Sequence, residues 1–348
     1  MGLYLDNGYY DSAGMRAYGT TFSFVWGGRG TGKTVGTLMD MYDNNLRFAY
    51  MRRTQAQCDQ IAKPELSIWR NVENVRPDIL VNIESESRYS SAFFKAEMDG
   101  DKRISTGEAI GIMLALSTVS NLRGFSGEWI DYIIYDEFIP EPHERVMRNE
   151  WEALLNCYET INRNRELNGK PPCKLIGLSN SNTVKNPIFE GLRVIDKVLS
   201  MHKRHQFVSV DRERSLGLFN LDCSPISERK RESALYRLTA GSEFGKMALD
   251  NDFNEGTGNL IQGLSIKGFQ PRYKIGDMCL YRHKREHIWY CTMFSSGTFP
   301  VEYGTSESER QKVRHVHSWL LNEYMRKRIV FETVTAEAYF EKIFLSNT

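Results

Sequence analysis

Short apolar runs alternate with amphipathic segments over the first half of the chain. Residues 21–26 form a β-prone run, and residues 35–42 carry apolar side chains at helical spacing. Residues 48–51 and 130–135 have the composition of buried strands, and the second of these runs ends in two acidic residues. Strands that alternate with helices predict an α/β fold, in which helices cover a mostly parallel sheet.

Further segments extend this pattern. Residues 62–71 predict a helix that begins near Pro64, and residues 148–162 predict an amphipathic helix. Residues 174–178 predict another strand, which ends at the polar run 179–182. We expect these segments to join the earlier ones in a single α/β domain.

The pattern changes in the second half of the chain. Charged runs at 203–205 and 228–232 predict a linker segment, helical and basic, over residues 196–257. Over residues 258–348, alternating apolar side chains predict strands, and residues 308–328 predict a helix. These features indicate a second, smaller α+β domain.

The turn after the first predicted strand carries a phosphate-binding motif. It consists of Gly27, Gly28, Arg29, Gly30, Thr31, Gly32, Lys33 and Thr34, which match the pattern G-x-x-x-x-G-K-[ST] between a strand and a helix. The glycines let backbone N–H groups point at phosphates, and the helix adds its positive N-terminal end. We expect all eight residues to bind ATP, with Lys33 on the β- and γ-phosphates and Thr34 on Mg²⁺. Residues 1–195 are therefore predicted to form a P-loop ATPase domain.

The two acidic residues after the run 130–135 complete the expected site. Asp136 would help to hold Mg²⁺ at the end of its strand, and Glu137 would act as the general base on the attacking water. The adjacent glutamate argues against a nucleotide kinase, because the acceptor in such an enzyme brings its own hydroxyl group. The pair predicts ATP hydrolysis by a P-loop enzyme of the ASCE type.

Other polar residues are candidates by their position. Asn180 follows a predicted strand near the expected γ-phosphate and is a candidate sensor of hydrolysis. Arg163 and Arg165 precede that strand, and either is a candidate for a cation that acts on the phosphate of a neighbouring subunit. The sequence leaves open whether Arg52 and Arg53 serve the nucleotide, a neighbour or solvent.

Composition and charge exclude some classes of protein. The six cysteines form neither a C-x-x-C pair nor a zinc-ligand spacing, which favours a reducing cytoplasm. The sequence has no run of about 18 apolar residues and no signal-peptide pattern, so we expect neither a membrane span nor secretion. The net charge is only +1, but residues 193–237 carry 10 basic and 6 acidic side chains. This asymmetry favours a partner with phosphates.

Several motifs in a fixed order resemble those of one family. Residues 20–190 are similar to the genome-packaging ATPases of small tailed phages related to phi29, which are terminase-like. Besides the P-loop, the resemblance rests on Leu122–Gly127, Asp136–Ile139, Asn162–Glu166 and Leu178–Asn180. A weaker similarity at 241–245 and 249–251 extends it into the linker.

The resemblance implies a homomeric ring, a pentamer, at the portal vertex of an empty capsid in the host cytoplasm. Such a ring would translocate double-stranded DNA inward with Mg²⁺ and ATP, and it would dock on a packaging RNA. By the same resemblance, Arg163 matches the finger that acts in trans, Glu137 the catalytic glutamate and Asn180 the sensor. Arg123, which precedes the acidic strand, is a candidate for lining the DNA path.

Residues 258–348 resemble a degenerate RNase-H-like nuclease, which related terminases carry after the ATPase. A working nuclease of this kind needs clustered carboxylates that hold two metal ions. Asp277, Glu286 and Glu302 show no paired arrangement, so we expect no nuclease activity. Nucleic-acid or capsid binding is favoured instead by interleaved basic and aromatic residues. These are Lys267, Phe269, Arg272, Tyr273, Lys274, Tyr281, Arg282, Lys284, Arg285 and Trp289.

Two other functions are compatible with the sequence. One is a P-loop helicase or nucleic-acid-remodelling ATPase that is not tied to packaging, although no set of helicase-type motifs lies between the P-loop and Asp136. The other is a nucleotide-gated scaffold, in which binding rather than hydrolysis matters. Glu137 and the arginines argue against this second alternative.

Overall fold

The chain divides into two compact units. The first comprises residues 1–188 and 200–254, and the second comprises residues 189–199 and 255–348. None of the described helices combines the length and apolar composition that a bilayer span requires. The computed structural model describes residues 2–122, 127–141, 144, 146–242, 245, 248, 253 and 261–345.

A nine-stranded sheet organises the first unit. Its strands are β1 Phe22–Gly27, β2 Phe48–Arg52, β3 Val81–Ser87, β4 Ser90–Asp99, β5 Lys102–Ala115, β6 Tyr132–Asp136, β7 Lys174–Asn180, β8 Val208–Asp211 and β9 Leu216–Leu221. Their order is β3-β4-β5-β2-β6-β7-β1-β9-β8. The pairings from β5 to β9 are parallel, and those that attach β4, β3 and β8 at the edges are antiparallel. The predicted α/β fold with a mostly parallel sheet is confirmed.

Helices join these strands, and one of them differs from the sequence prediction. The helix expected over residues 62–71 is interrupted, because Pro64 lacks an N–H group and begins a separate 3-10 turn. The Ser67 side chain then accepts a hydrogen bond from the Trp69 N–H and starts a new helix. The helices are α1 Ser12–Arg16, α2 Lys33–Asp43, α3 Gln55–Ile61, α4 Ile68–Val75, α5 Glu150–Asn162, α6 Pro187–Leu192, α7 Ile195–Lys203, α8 Pro225–Lys230 and α9 Ala234–Leu238.

A hydrophobic core locks the P-loop helix against the sheet. Leu38 and Met41 of α2 are fully buried in one cluster with Val25 of β1 and with Trp69 and Val72 of α4. Burial of side chains of this size contributes roughly 1.5–3 kcal/mol each. The loop between β1 and α2 is therefore held at both ends by packed elements.

The segment 196–257, predicted as a linker, contributes two strands to this sheet. β9 lies next to β1 in parallel register, with Leu221 beside Gly27. β8 pairs with β9 in antiparallel fashion and forms the edge of the sheet. All six residues of β9 are buried, so this part of the segment is core structure.

The second unit contains a smaller sheet of the strands β10 Phe269–Ile275, β11 Met278–His283, β12 Trp289–Thr292, β13 Val301–Tyr303 and β14 Ile329–Phe331. Their order is β13-β10-β11-β12-β14. The helix predicted over 308–328 is broken at His317. The ring of His317 is buried and shares a 2.9 Å hydrogen bond with the Tyr303 hydroxyl. The helices are Glu307–Val316, Trp319–Met325 and Val334–Phe344.

Candidate active site

The P-loop leaves β1 and enters α2 at the carboxyl edge of the parallel sheet. Gly30 has φ of 66° and Gly32 has φ of 86°, conformations that glycine adopts without steric cost. Thr31 between them is fully buried, and its hydroxyl donates to the carbonyl of Gly28 at 3.2 Å. Gly32 is also the N-cap residue of α2, so the loop and the helix N-terminus are continuous, as phosphate binding requires.

The ammonium group of Lys33 is held inside this loop. Its Nζ donates to the carbonyls of Gly27 at 3.1 Å and Gly28 at 2.9 Å, and to the side chains of Thr31 and Asn180. Burial lowers the pKa of Lys33 to about 7, against the opposing effect of the Asp136 carboxylate. The four partners are neutral oxygens, so a phosphate that enters the loop offers the ammonium a stronger partner.

Thr34 and Asp136 meet at the position expected for the metal ligands. The Thr34 hydroxyl donates to Asp136 Oδ2 at 2.9 Å, and the Tyr50 hydroxyl donates to the same oxygen at 2.6 Å. A hydroxyl oxygen beside a carboxylate is the hard-oxygen donor set that Mg²⁺ prefers. These residues fit a magnesium ion.

Glu137 follows β6 in a left-handed backbone conformation with φ of 59°. Its N–H donates to the Leu178 carbonyl of β7 at 2.7 Å, which fixes the residue just above the sheet edge. Burial raises the pKa of Glu137, while the charge of Arg52 opposes that rise. A carboxylate with a raised pKa is a stronger base than a free one, which suits proton transfer from water.

Arg52 contacts both acidic residues. Its Nη2 lies 2.7 Å from Glu137 Oε2, and its Nη1 lies 3.3 Å from Asp136 Oδ2. Arg52 ends β2, which pairs in parallel with β6, so the two strand ends lie side by side. The sequence did not identify this role, because the neighbouring position of β2 and β6 is visible only in the sheet.

Arg53 points the other way and forms a separate buried network. Its guanidinium contacts Glu150 at 2.9 Å and Glu144 at 3.1 Å, and it donates to the carbonyl of Glu137 at 3.0 Å. The Tyr135 hydroxyl donates to the same Glu150 carboxylate at 2.6 Å. Arg53 therefore supports the backbone that carries Glu137.

Asn180 is the last residue of β7, and its neighbour across the sheet is Gly27. Its Oδ1 accepts a 3.3 Å hydrogen bond from Lys33 Nζ. Arg29, at the tip of the P-loop, forms an ion pair with Glu141 after the acidic strand. The structure therefore brings Lys33, Thr34, Asp136, Glu137 and Asn180 together around one loop.

Arg163 and Arg165 do not lie at this site. Arg163 caps the carboxyl end of α5, with φ of 46°, and its exposed side chain donates to the Thr160 carbonyl. Arg165 is buried and donates to the Glu128 carbonyl at 2.6 Å. Arg123 and residues 249–251 lie outside the described residues.

Carboxylates of the second unit have separate partners. Asp277 pairs with Arg193 at 2.8 Å, and Glu302 lies 3.9 Å from Lys274. Among the described residues of 261–345, no three His, Cys, Asp or Glu side chains form a metal-sized group. Of the aromatic residues predicted to alternate with basic ones, Tyr281 and Trp289 are buried core residues.

The chain matches the podovirus DNA encapsidation protein (Gp16) family over residues 5–268. The chain belongs to this family. The DNA packaging protein of Bacillus phage B103 is 27% identical over 283 residues, which cover 80% of this chain and 77% of that protein. Viral DNA packaging is thus the process in which this encapsidation protein acts, as the resemblance predicted.

Two solved structures share the fold of this encapsidation protein. The phi-28 gp11 DNA packaging motor has a TM-score of 0.67 at 18% identity, and the match covers 99% of this chain and 100% of that one. The bacteriophage phi-29 genome packaging motor assembly has a TM-score of 0.65 at 20% identity, with 96% and 99% covered. Both matches extend over the α/β sheet and the smaller second unit.

Proposed function

We propose that this encapsidation protein is an ATP-driven motor that moves double-stranded DNA into a preformed capsid. One observation carries the proposal: a P-loop lysine, a hydroxyl and carboxylate pair suited to Mg²⁺, a candidate base and a polar amide converge at one sheet edge. The family provides the cargo, and the convergence provides the chemistry.

Each group at this edge has a defined task in hydrolysis. Thr34 and Asp136 would hold Mg²⁺, which when bound would supply positive charge against the nucleotide phosphates. Lys33 would exchange its loop carbonyls for β- and γ-phosphate oxygens, since charged partners give the stronger hydrogen bonds. Glu137 would take the proton of the attacking water, and Asn180 would respond to the loss of the γ-phosphate through its bond to Lys33.

We place the remaining cation on a neighbouring subunit. α5 begins at Glu150, which packs near the site, and its 13 residues extend about 20 Å before Arg163. Arg163 is exposed at the far end of this helix from Glu150, so we assign it no role at the site of its own chain. Arg163, rather than the buried Arg165, is therefore the proposed finger of a homomeric ring, for which we propose a pentamer.

We further propose that the second unit binds packaging RNA, the portal or capsid through its basic side chains. Lys267, Arg282, Lys284 and Arg285 are exposed, whereas the nearby carboxylates Asp277 and Glu302 face basic partners. An exposed basic surface suits a phosphate backbone. The same unit is proposed to have no nuclease activity.

The decisive experiment compares wild type with Glu137→Gln. We expect Mg·ATP to bind both proteins, while DNA-stimulated hydrolysis and packaging into empty capsids fall by at least about 100-fold in the variant. Unchanged hydrolysis would remove Glu137 from the mechanism. If the variant grips DNA in a nucleotide-dependent way and packages it at the full rate, the scaffold alternative is favoured. Strand separation by wild type would favour the helicase alternative.

A further inference from the structure

A second lysine reaches the P-loop from a distant part of the sequence. Lys230 is the last residue of α8, and its Nζ donates a 2.6 Å hydrogen bond to the carbonyl oxygen of Arg29. A Cβ atom built on Gly30 would lie 2.0 Å from the same Nζ. The ammonium thus lies directly against the backbone of Gly30, in space that only a glycine leaves open.

The fold fixes α8 in this position. β9 runs parallel to β1, with Leu221 beside Gly27, so the chain leaves β9 next to the P-loop. Pro225 occupies the first turn of α8 and lies where a Cβ on Gly8 would be only 2.8 Å away. Ile226 is buried below the helix. Lys230 is therefore positioned by packed backbone.

The positive charge of the Lys230 ammonium is not balanced by a carboxylate among the described residues. Burial lowers the pKa of Lys230. In the part of the chain that the structure describes, no carboxylate forms an ion pair with Lys230. Two partly desolvated ammonium groups on one loop repel each other, and a polyanion between them would relieve that repulsion.

We propose that Lys230 is a nucleotide-binding residue, whose ammonium leaves the Arg29 carbonyl and binds a phosphate oxygen of Mg·ATP. It acts beside Lys33, so the loop is served by one lysine from α2 and one from α8. This inference rests on the proposed function, because it requires that the P-loop binds nucleotide. A charge-assisted hydrogen bond of this kind changes affinity by about tenfold.

The test measures the dissociation constant of Mg·ATP by displacement of a fluorescent ATP analogue. Lys230→Gln keeps a donor for the Arg29 carbonyl but removes the charge, and Arg229→Gln is the matched control on the exposed side of the same helix. We expect about tenfold weaker binding for Lys230→Gln, no change for Arg229→Gln, and most of the affinity to return in Lys230→Arg.

A purely structural role predicts a different set of results. Equal Mg·ATP affinity of wild type and Lys230→Gln would overturn the inference, as would an equal loss in Lys230→Arg and Lys230→Gln. If Lys230→Gln unfolds at a lower temperature without nucleotide, the salt dependence of Mg·ATP affinity decides. A phosphate contact makes the affinity of wild type and Lys230→Arg fall more steeply with salt than that of Lys230→Gln. If wild type binds no Mg·ATP, the proposed function itself is contradicted.

Discussion

Arg52 Nη2 lies 2.7 Å from Glu137 Oε2, so the candidate base is paired with a guanidinium from the neighbouring strand. The same arginine reaches Asp136 at 3.3 Å. Burial raises the pKa of Glu137, and the charge of Arg52 opposes that rise. The arginine is a positioning residue for the general base.

Removing Arg52 should therefore alter the pH dependence of hydrolysis. In Arg52→Met the pKa of Glu137 rises further, and the acidic limb of the pH–rate profile shifts to higher pH. The profile of kcat against pH, followed upward from the ordinary pKa of a glutamate at about 4.3, gives the measurement. Arg47→Met, whose partner Glu108 lies elsewhere, serves as the control. Superimposable acidic limbs for Arg52→Met and wild type would contradict this role.

Mg·ATP affinity should also depend on the protonation of Lys33. Its pKa of about 7 means that the free protein loses this charge as pH rises through neutrality. A phosphate stabilises the charged form, so affinity is constant with respect to this group below about pH 7 and falls above it, by up to about tenfold per pH unit. Dissociation constants measured from pH 6 to 9, a range of about three units, test the slope.

Lys33→Arg provides the matched comparison, since arginine stays charged over that range. We expect its affinity for Mg·ATP to be flatter with pH than that of wild type. The same slope in both proteins would assign the titration to ATP or to another group.

Substitutions of the two arginines after α5 should have different effects, on hydrolysis for Arg163 and on stability for Arg165. Arg163→Ala is expected to fold normally and to lower single-turnover hydrolysis by roughly 1000-fold, because a finger stabilises charge in the transition state. Mixed assemblies of wild type and Arg163→Ala should lose activity in proportion to the variant subunits. Full activity in a pure Arg163→Ala assembly would remove the finger.

Arg165→Ala should instead lower stability. Its side chain is buried and bonds to the Glu128 carbonyl, so removal leaves that oxygen without its partner. A loss of about 1–3 kcal/mol in the free energy of unfolding is expected from urea denaturation. Unaltered stability together with lost hydrolysis would exchange the roles of the two residues.

Arg53 should matter for folding more than for nucleotide binding. It is 2% exposed, and Arg53→Met would leave the buried Glu150 carboxylate without its cation. The free energy of unfolding should fall by about 3 kcal/mol. Adding Glu150→Gln should recover part of that loss in a double-mutant cycle. A double variant no more stable than Arg53→Met would contradict the pairing.

The local parts of the site were predictable from the sequence. The P-loop is contiguous in sequence, so the spacing of its glycines and Lys33 identifies it without knowledge of the rest of the fold. Asp136 and Asn180 end apolar runs, and parallel strands end at one edge of a sheet, so their convergence followed from the α/β pattern. The order of motifs also indicated the family.

The tertiary structure alone decided which distant residues share that edge. Arg52 and Arg53 are adjacent at the end of β2, yet Arg52 pairs with the Glu137 carboxylate and Arg53 with the Glu150 carboxylate. Lys230 is 201 residues from Arg29 in the sequence, and it reaches the P-loop because β9 pairs with β1. Strand order depends on long-range packing, which no local pattern of residues encodes, and so these partners became visible only in the folded chain.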